Sequence, residues 1–98
     1  MKNKIMKILK EKQSYLKESY GVSRIGLFGS FAKGNAKPSS DVDIVVEFER
    51  PVGLRFMELA EYMEKLLARK VDILTPDGIR SIRGKGISAD IRRSIRYV

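Results

Sequence analysis

The stretch that most restricts the fold is VDIVVEF at residues 42–48. Its period of two puts Val42, Ile44, Val46 and Phe48 on one face of a strand, with Asp41, Asp43, Val45 and Glu47 on the other. Such a strand needs neighbours and an apolar cover. RIGLF at 24–28 and VDIL at 71–74 read as two further short strands, the last stopped by Thr75-Pro76. Ile5, Ile8, Leu9, Tyr15 and Leu16 recur near helical spacing, which predicts an amphipathic helix over 3–19 capped by Gly21. Phe56, Leu59, Ala60, Met63, Leu66 and Leu67 form a second helical stripe. Gly29-Ser30 ends the first strand abruptly, and Ser30 reads as the N-cap of a brief helix through Lys33, stopped by Gly34. NAKPSS at 35–40 is a loop by composition, and the tail predicts one turn and a short helix around 89–96. The order predicts one α+β domain over residues 1–98, a small mixed sheet in a layer covered by helices.

The acids raise a chemical question. Asp41 and Asp43 sit two residues apart, pointing the same way from one strand. Burying both without a cation costs several kcal/mol. A magnesium ion resolves the conflict, since it accepts one or two carboxylates together with phosphate oxygens. A bare D-x-D is more often an exposed strand entrance that aids solubility. Asp72 stands in VDIL in the same alternation as Asp43 in VDIVV. If those strands are neighbours, three acids converge on one face, as two-metal nucleotidyl transfer requires. Gly29 leaves room for a phosphate to approach the backbone, the Ser30 hydroxyl adds a donor, and Lys33 reaches the same phosphates as a point charge. Singly, each has an ordinary structural role; together they lie within sixteen residues, 29–44.

Composition narrows the chemistry. The 98 residues include no cysteine and no histidine, which removes disulfides, zinc–thiolate sites and the usual general base. Catalysis must rest on carboxylates, hydroxyls, lysines or arginines. Lysines interrupt the N-terminal apolar positions, and no run approaches the length of a membrane helix, so a cytoplasmic protein is expected.

Gly29-Ser30, ten residues, then Asp41-Val42-Asp43 resembles the G-S-x10-D-x-D signature of the DNA polymerase β-like nucleotidyltransferases. The fuller string GSFAKG…SDVDIVV is similar to the minimal nucleotidyltransferase domains of that superfamily. The resemblance implies a polymerase β palm-like fold and transfer of AMP from ATP. It assigns Gly29, Ser30 and Lys33 to the nucleotide, and Asp41 and Asp43 to Mg²⁺. Asp72 completes the metal site and helps to activate the attacking hydroxyl. Lys33 stands where the family often has arginine, keeping the charge without the bidentate grip. The resemblance further implies an antitoxin that adenylylates a tyrosine of a HEPN-family toxin. At this length a partner is expected to supply the acceptor and part of the cleft.

The net charge of +8 suits an anionic partner, and equally a solvated surface rich in lysine. An acidic toxin surface explains it. Nucleic acid is the weaker reading, resting on Arg80, Arg83, Arg92, Arg93 and Arg96 without any DNA-reading motif. The alternative ranked ahead of nucleic acid is a catalytically silent module that covers a toxin.

Overall fold

The computed structural model describes residues 2–34, 36–37, 39–81 and 91–98. Helices α1 (Lys2–Glu11) and α2 (Gln13–Tyr20) lead into β1 (Val22–Phe28), and α3 (Gly29–Lys33) follows at once. Strand β2 (Val42–Phe48), helix α4 (Arg55–Leu67), strand β3 (Val71–Leu74), helix α5 (Pro76–Arg80) and strand β4 (Arg96–Tyr97) complete the order. The fold is α+β: one mixed sheet, ordered β3-β2-β1-β4, with helices layered on it. β1 is antiparallel to β2 and β4, whereas β2 and β3 run parallel, joined through α4. That connection is the crossover a parallel pair demands.

The two faces of β2 divide the molecule. Val42, Ile44 and Val46 point into the main core with Ile25 and Leu27 of β1 and Val71 of β3. Ile5 and Leu9 of α1, Leu16 of α2, Phe31 of α3 and Leu59 and Met63 of α4 cover them. On the opposite face Val45 and Phe28 pack under Ile79 of α5, with Ile91, Ile95 and Tyr97 alongside. Val42, Ile44, Val45 and Val46 are all 0% exposed, so β2 is buried on both sides.

The expected single helix over 3–19 is kinked. Lys12 leaves helical geometry (φ −97°, ψ 1°), although the Leu16 amide still donates to its carbonyl at 2.9 Å. The apolar stripe explains this: Ile5, Leu9, Leu16 and Tyr20 are buried, with only Lys12 and Gln13 where a middle anchor would fall. Tyr15, expected in the stripe, is 46% exposed and lies against Tyr20 and Tyr62. Gly21 caps α2 in the left-handed conformation (φ 71°), as expected. β1 begins two residues earlier than RIGLF suggests. A register irregularity between Val22 and Arg24 lets Val22 join Ile25 in the core, which strict alternation would forbid.

Thr75-Pro76 does stop β3, and it also starts α5: the Thr75 hydroxyl accepts from the Gly78 amide at 3.0 Å, with proline just inside the helix. The expected tail helix is helical at 91–94, and its earlier residues, like Arg83, lie outside the described positions. β4 replaces its last turn. Gly26 explains how: a Cβ there would meet the Arg96 carbonyl at 3.0 Å, Ile95 Cγ2 at 3.1 Å and Tyr97 Cδ1 at 3.1 Å. The tail strand lies in the space a side chain would fill. Among the described residues no helix is long and apolar enough to cross a membrane.

Gly26→Val should expel β4 while leaving the rest of the sheet. Hydrogen exchange at the Val98 amide, which donates to the Ile25 carbonyl at 3.0 Å, should then become as fast as in an unstructured peptide. Retained protection would show that the edge pairing survives the intrusion.

Candidate active site

The site forms where β1 and β2 meet at one end of the sheet. Phe28, the last residue of β1, pairs with Asp43. The next residue, Gly29, turns the chain with φ +70° and begins α3. The Asp43 carboxylate occupies the volume that a side chain on Gly29 would claim: a Cβ there would lie 2.3 Å from Asp43 Oδ2. The glycine of the signature and its second aspartate are therefore fitted to one another. Ser30 lies inside α3 and is not its N-cap, which is Phe28 in extended geometry. The turn is tighter than a serine cap would make it, because glycine can start the helix directly from the strand. Lys33 is exposed at the last turn of α3, and Gly34 ends the helix in the left-handed region, as expected.

The parallel pairing of β2 and β3 sets the position of Asp72. Asp43 stands directly opposite Asp72, while the flanking pairs Val42–Val71 and Ile44–Ile73 turn to the main core. Asp43 and Asp72 thus share the other face, with Asp41 two residues upstream in the segment entering β2. Burial first, then the charges of Asp72 and Asp41, raise the Asp43 pKa above that of an ordinary aspartate. Three acids gather at one end of the sheet, and the charges acting on Asp43 are those of the other two. Among the described residues, however, no three acidic side chains close into a ready-made cage for an ion. The donor set still suits magnesium, which binds through one or two carboxylates and takes its remaining oxygens from phosphate and water. Asp43, unfavourably charged in the protein alone, is the group a divalent cation would relieve.

Glu47, on the same face of β2, belongs to another cluster. It pairs with Arg24 at 3.5 Å and lies beside the Tyr97 hydroxyl, while the Arg24 guanidinium lies over the Tyr97 ring at 3.6 Å. Four residues along the strand from Asp43, it is absent from the influences on that carboxylate. Composition alone gave no sign of a cleft of about 610 Å³ beside Asp41, walled by α1, residues 39–41 and the turn from α4 to β3. The Arg69-Lys70 pair at that turn was the available signal.

A nucleotidyltransferase domain model matches residues 2–98. The chain belongs to the nucleotidyltransferase domain family. It is 43% identical to the protein adenylyltransferase MntA of Thermococcus cleftensis over 96% of this chain and 92% of that protein. A candidate protein adenylyltransferase of Methanocaldococcus jannaschii is 46% identical over 79% of this chain and 91% of its own. A solved structure of a candidate minimal nucleotidyltransferase superposes with a TM-score of 0.73 at 28% identity, covering 98% of this chain and 95% of that one. A toxin–antitoxin crystal structure with AMP-PNP superposes with a TM-score of 0.63 at 25% identity, covering 98% and 70%. The nucleotidyltransferase is thus an enzyme of the minimal class, and the expected fold stands.

Two predictions follow from the crowded acids. Gly29→Ala should destabilise the fold by roughly 1–2 kcal/mol from the left-handed backbone alone, with a further loss from displacing Asp43. In an Asp43→Ala background the further loss should disappear, a double-mutant cycle readable by urea denaturation. The second concerns pH. The folded protein holds the Asp43 proton more tightly than the unfolded chain does. Stability therefore falls as pH rises from the ordinary aspartate value through the raised one, and above that window the penalty is constant. Asp43→Asn should raise Tm by a few degrees at pH 7 in metal-free buffer, and the gain should vanish near pH 3.

Proposed function

We propose that this nucleotidyltransferase transfers AMP from ATP to a tyrosine hydroxyl of a HEPN-family toxin, and so acts as that toxin's antitoxin in the cytoplasm. The observation that carries the reading is the register of β2 and β3, with Asp43 opposite Asp72 beside the Gly29 turn. The names of the most similar relatives support adenylyl transfer to protein, and the toxin–antitoxin likeness supports the class of partner.

In this reading the backbone at Gly29, the Ser30 hydroxyl and the exposed Lys33 ammonium hold the triphosphate. Gly29 contributes by having no side chain, which keeps Asp43 and a phosphate within reach of the same backbone. Asp41 and Asp43 would hold Mg²⁺, with Asp72 completing the set. When bound, the ion neutralises carboxylate and phosphate charge in the crowded corner. Asp72 orients the tyrosine hydroxyl and takes its proton. The phenolic oxygen forms a bond to the α-phosphorus, the bond from that phosphorus to the α,β-bridging oxygen breaks, and pyrophosphate leaves. Val45, Phe28 and Ile79 form the dry floor that fixes the strand ends. The nucleotide-binding part of the site lies in one domain over residues 1–98, with the toxin providing the acceptor and part of the cleft.

Incubating the protein with ATP, Mg²⁺ and a co-expressed partner should add the mass of one AMP to that partner. Asp72→Asn should slow the transfer by about 10²-fold or more, the usual contribution of a positioned proton acceptor. Asp43→Asn should abolish it. Unchanged labelling in either variant would remove the residue from its assigned role. The lack of a ready-made three-acid cage among the described residues favours one other reading, a silent module that covers the toxin. In that case Asp43→Asn protein would protect cells as well as the parent does.

A further inference from the structure

We propose that the cleft beside Asp41 is the docking groove for the acceptor, and that it takes an acidic peptide segment. This rests on the adenylyl-transfer reading and adds where the acceptor lies and what chemistry it carries. Ile5 and Ile8 of α1 and Leu67 of α4 supply apolar lining, and the charges around it are Lys4, Arg69 and Lys70. Asp41 is the one acid among the lining residues. Among the described residues neither Lys4 nor Lys70 has an ion-pair partner, and both are exposed. Arg69 is held over the Phe31 ring at 5.2 Å, so one wall of the groove is tied to the helix that follows Gly29.

The direction of the chemistry places the acceptor here. In phosphoryl transfer the attacking and leaving oxygens lie roughly in line, on opposite sides of the phosphorus. Gly29, Ser30 and Lys33 follow β1, and none of them lines the groove. Pyrophosphate leaves toward that side. In this reading the attacking hydroxyl comes from the side away from those three residues, toward β3; Lys70 immediately precedes that strand, and its carbonyl accepts from the Val42 amide at 2.9 Å, tying the groove to the start of β2. The groove lies at this end of the sheet against α1 and the end of α4; Asp41 lines it, while Asp43 and Asp72 stand beyond Asp41 on the opposite face. Lys4 and Lys70, exposed and without an ion-pair partner among the described residues, repel another basic surface and attract an acidic one. Apolar side chains between the acids of a peptide would fit Ile5, Ile8 and Leu67.

The experiment uses the full chain and a short fluorescein-labelled peptide carrying one tyrosine flanked by glutamate and aspartate, read by fluorescence anisotropy at low salt. Binding of mant-ATP is titrated in parallel, and Tm is recorded for every variant. Lys4→Glu and Lys70→Glu should each weaken the acidic peptide about tenfold, with mant-ATP affinity and Tm unchanged. Lys17→Glu, the same charge change in a separate cleft near Ser23 and Arg24, should leave peptide binding as it was. The proposal is overturned if the parent fails to bind the peptide, or if a lysine-flanked peptide binds equally. It also falls if Lys17→Glu weakens binding as much as the groove variants, or if mant-ATP affinity drops in step with peptide affinity, which would make the groove a nucleotide site. Asp43→Asn should bind the peptide like the parent. Loss of AMP transfer to every partner, with groove-dependent peptide binding retained, would remove the adenylyl-transfer reading alone.

Discussion

Strand β2 is sealed in its middle by apolar packing on both faces, and that single constraint governs where charge can go. With Val42, Ile44, Val45 and Val46 sealed from water, a carboxylate can enter the strand only near an end. Asp43 uses the entering end, where β1 has just finished and the backbone turns at Gly29. The surrounding sheet then supplies the rest: a parallel neighbour delivers Asp72 at the matching level, and the loop into β2 delivers Asp41. Burial first, and then the neighbouring acids, make Asp43 reluctant to ionise.

Such reluctance is a local strain maintained by global packing. The two hydrophobic clusters on either side of β2 hold its register, so the acids cannot separate by sliding. A cation that satisfies them gains the repulsion they would otherwise keep. In the same corner, the missing side chain of Gly29 is as much part of the site as any carboxylate, because it is the space in which Asp43 stands.

Much of this was legible in the chain. VDIVVEF and VDIL announce strands through alternation, and β2 and β3 occupy those residues. The same alternation put Asp43 and Asp72 in phase, and the parallel register keeps them so. What escaped had physical reasons. The early start of β1 depends on an irregularity at Ser23, which no periodic pattern can express. The kink at Lys12 reflects a missing apolar anchor, and a stripe count that includes Tyr15 hides it. The two-residue β4 is too short to carry a period, and its place is dictated by a gap at Gly26 on a strand seventy residues away in sequence (about that distance by residue number). The groove is tertiary, joining α1 to the turn before β3, and neighbouring residues in sequence never outline it.

The margins of the sheet have a consequence for the molecule's behaviour at high concentration. One border is the four-residue β3, stopped by Thr75-Pro76; the other is the two-residue β4 with a cationic Arg96. Neither exposes a long ladder of free amides and carbonyls onto which another copy could add a strand. A chain that gathers acids at the mouth of its sheet is thereby spared a second hazard, stacking edge to edge.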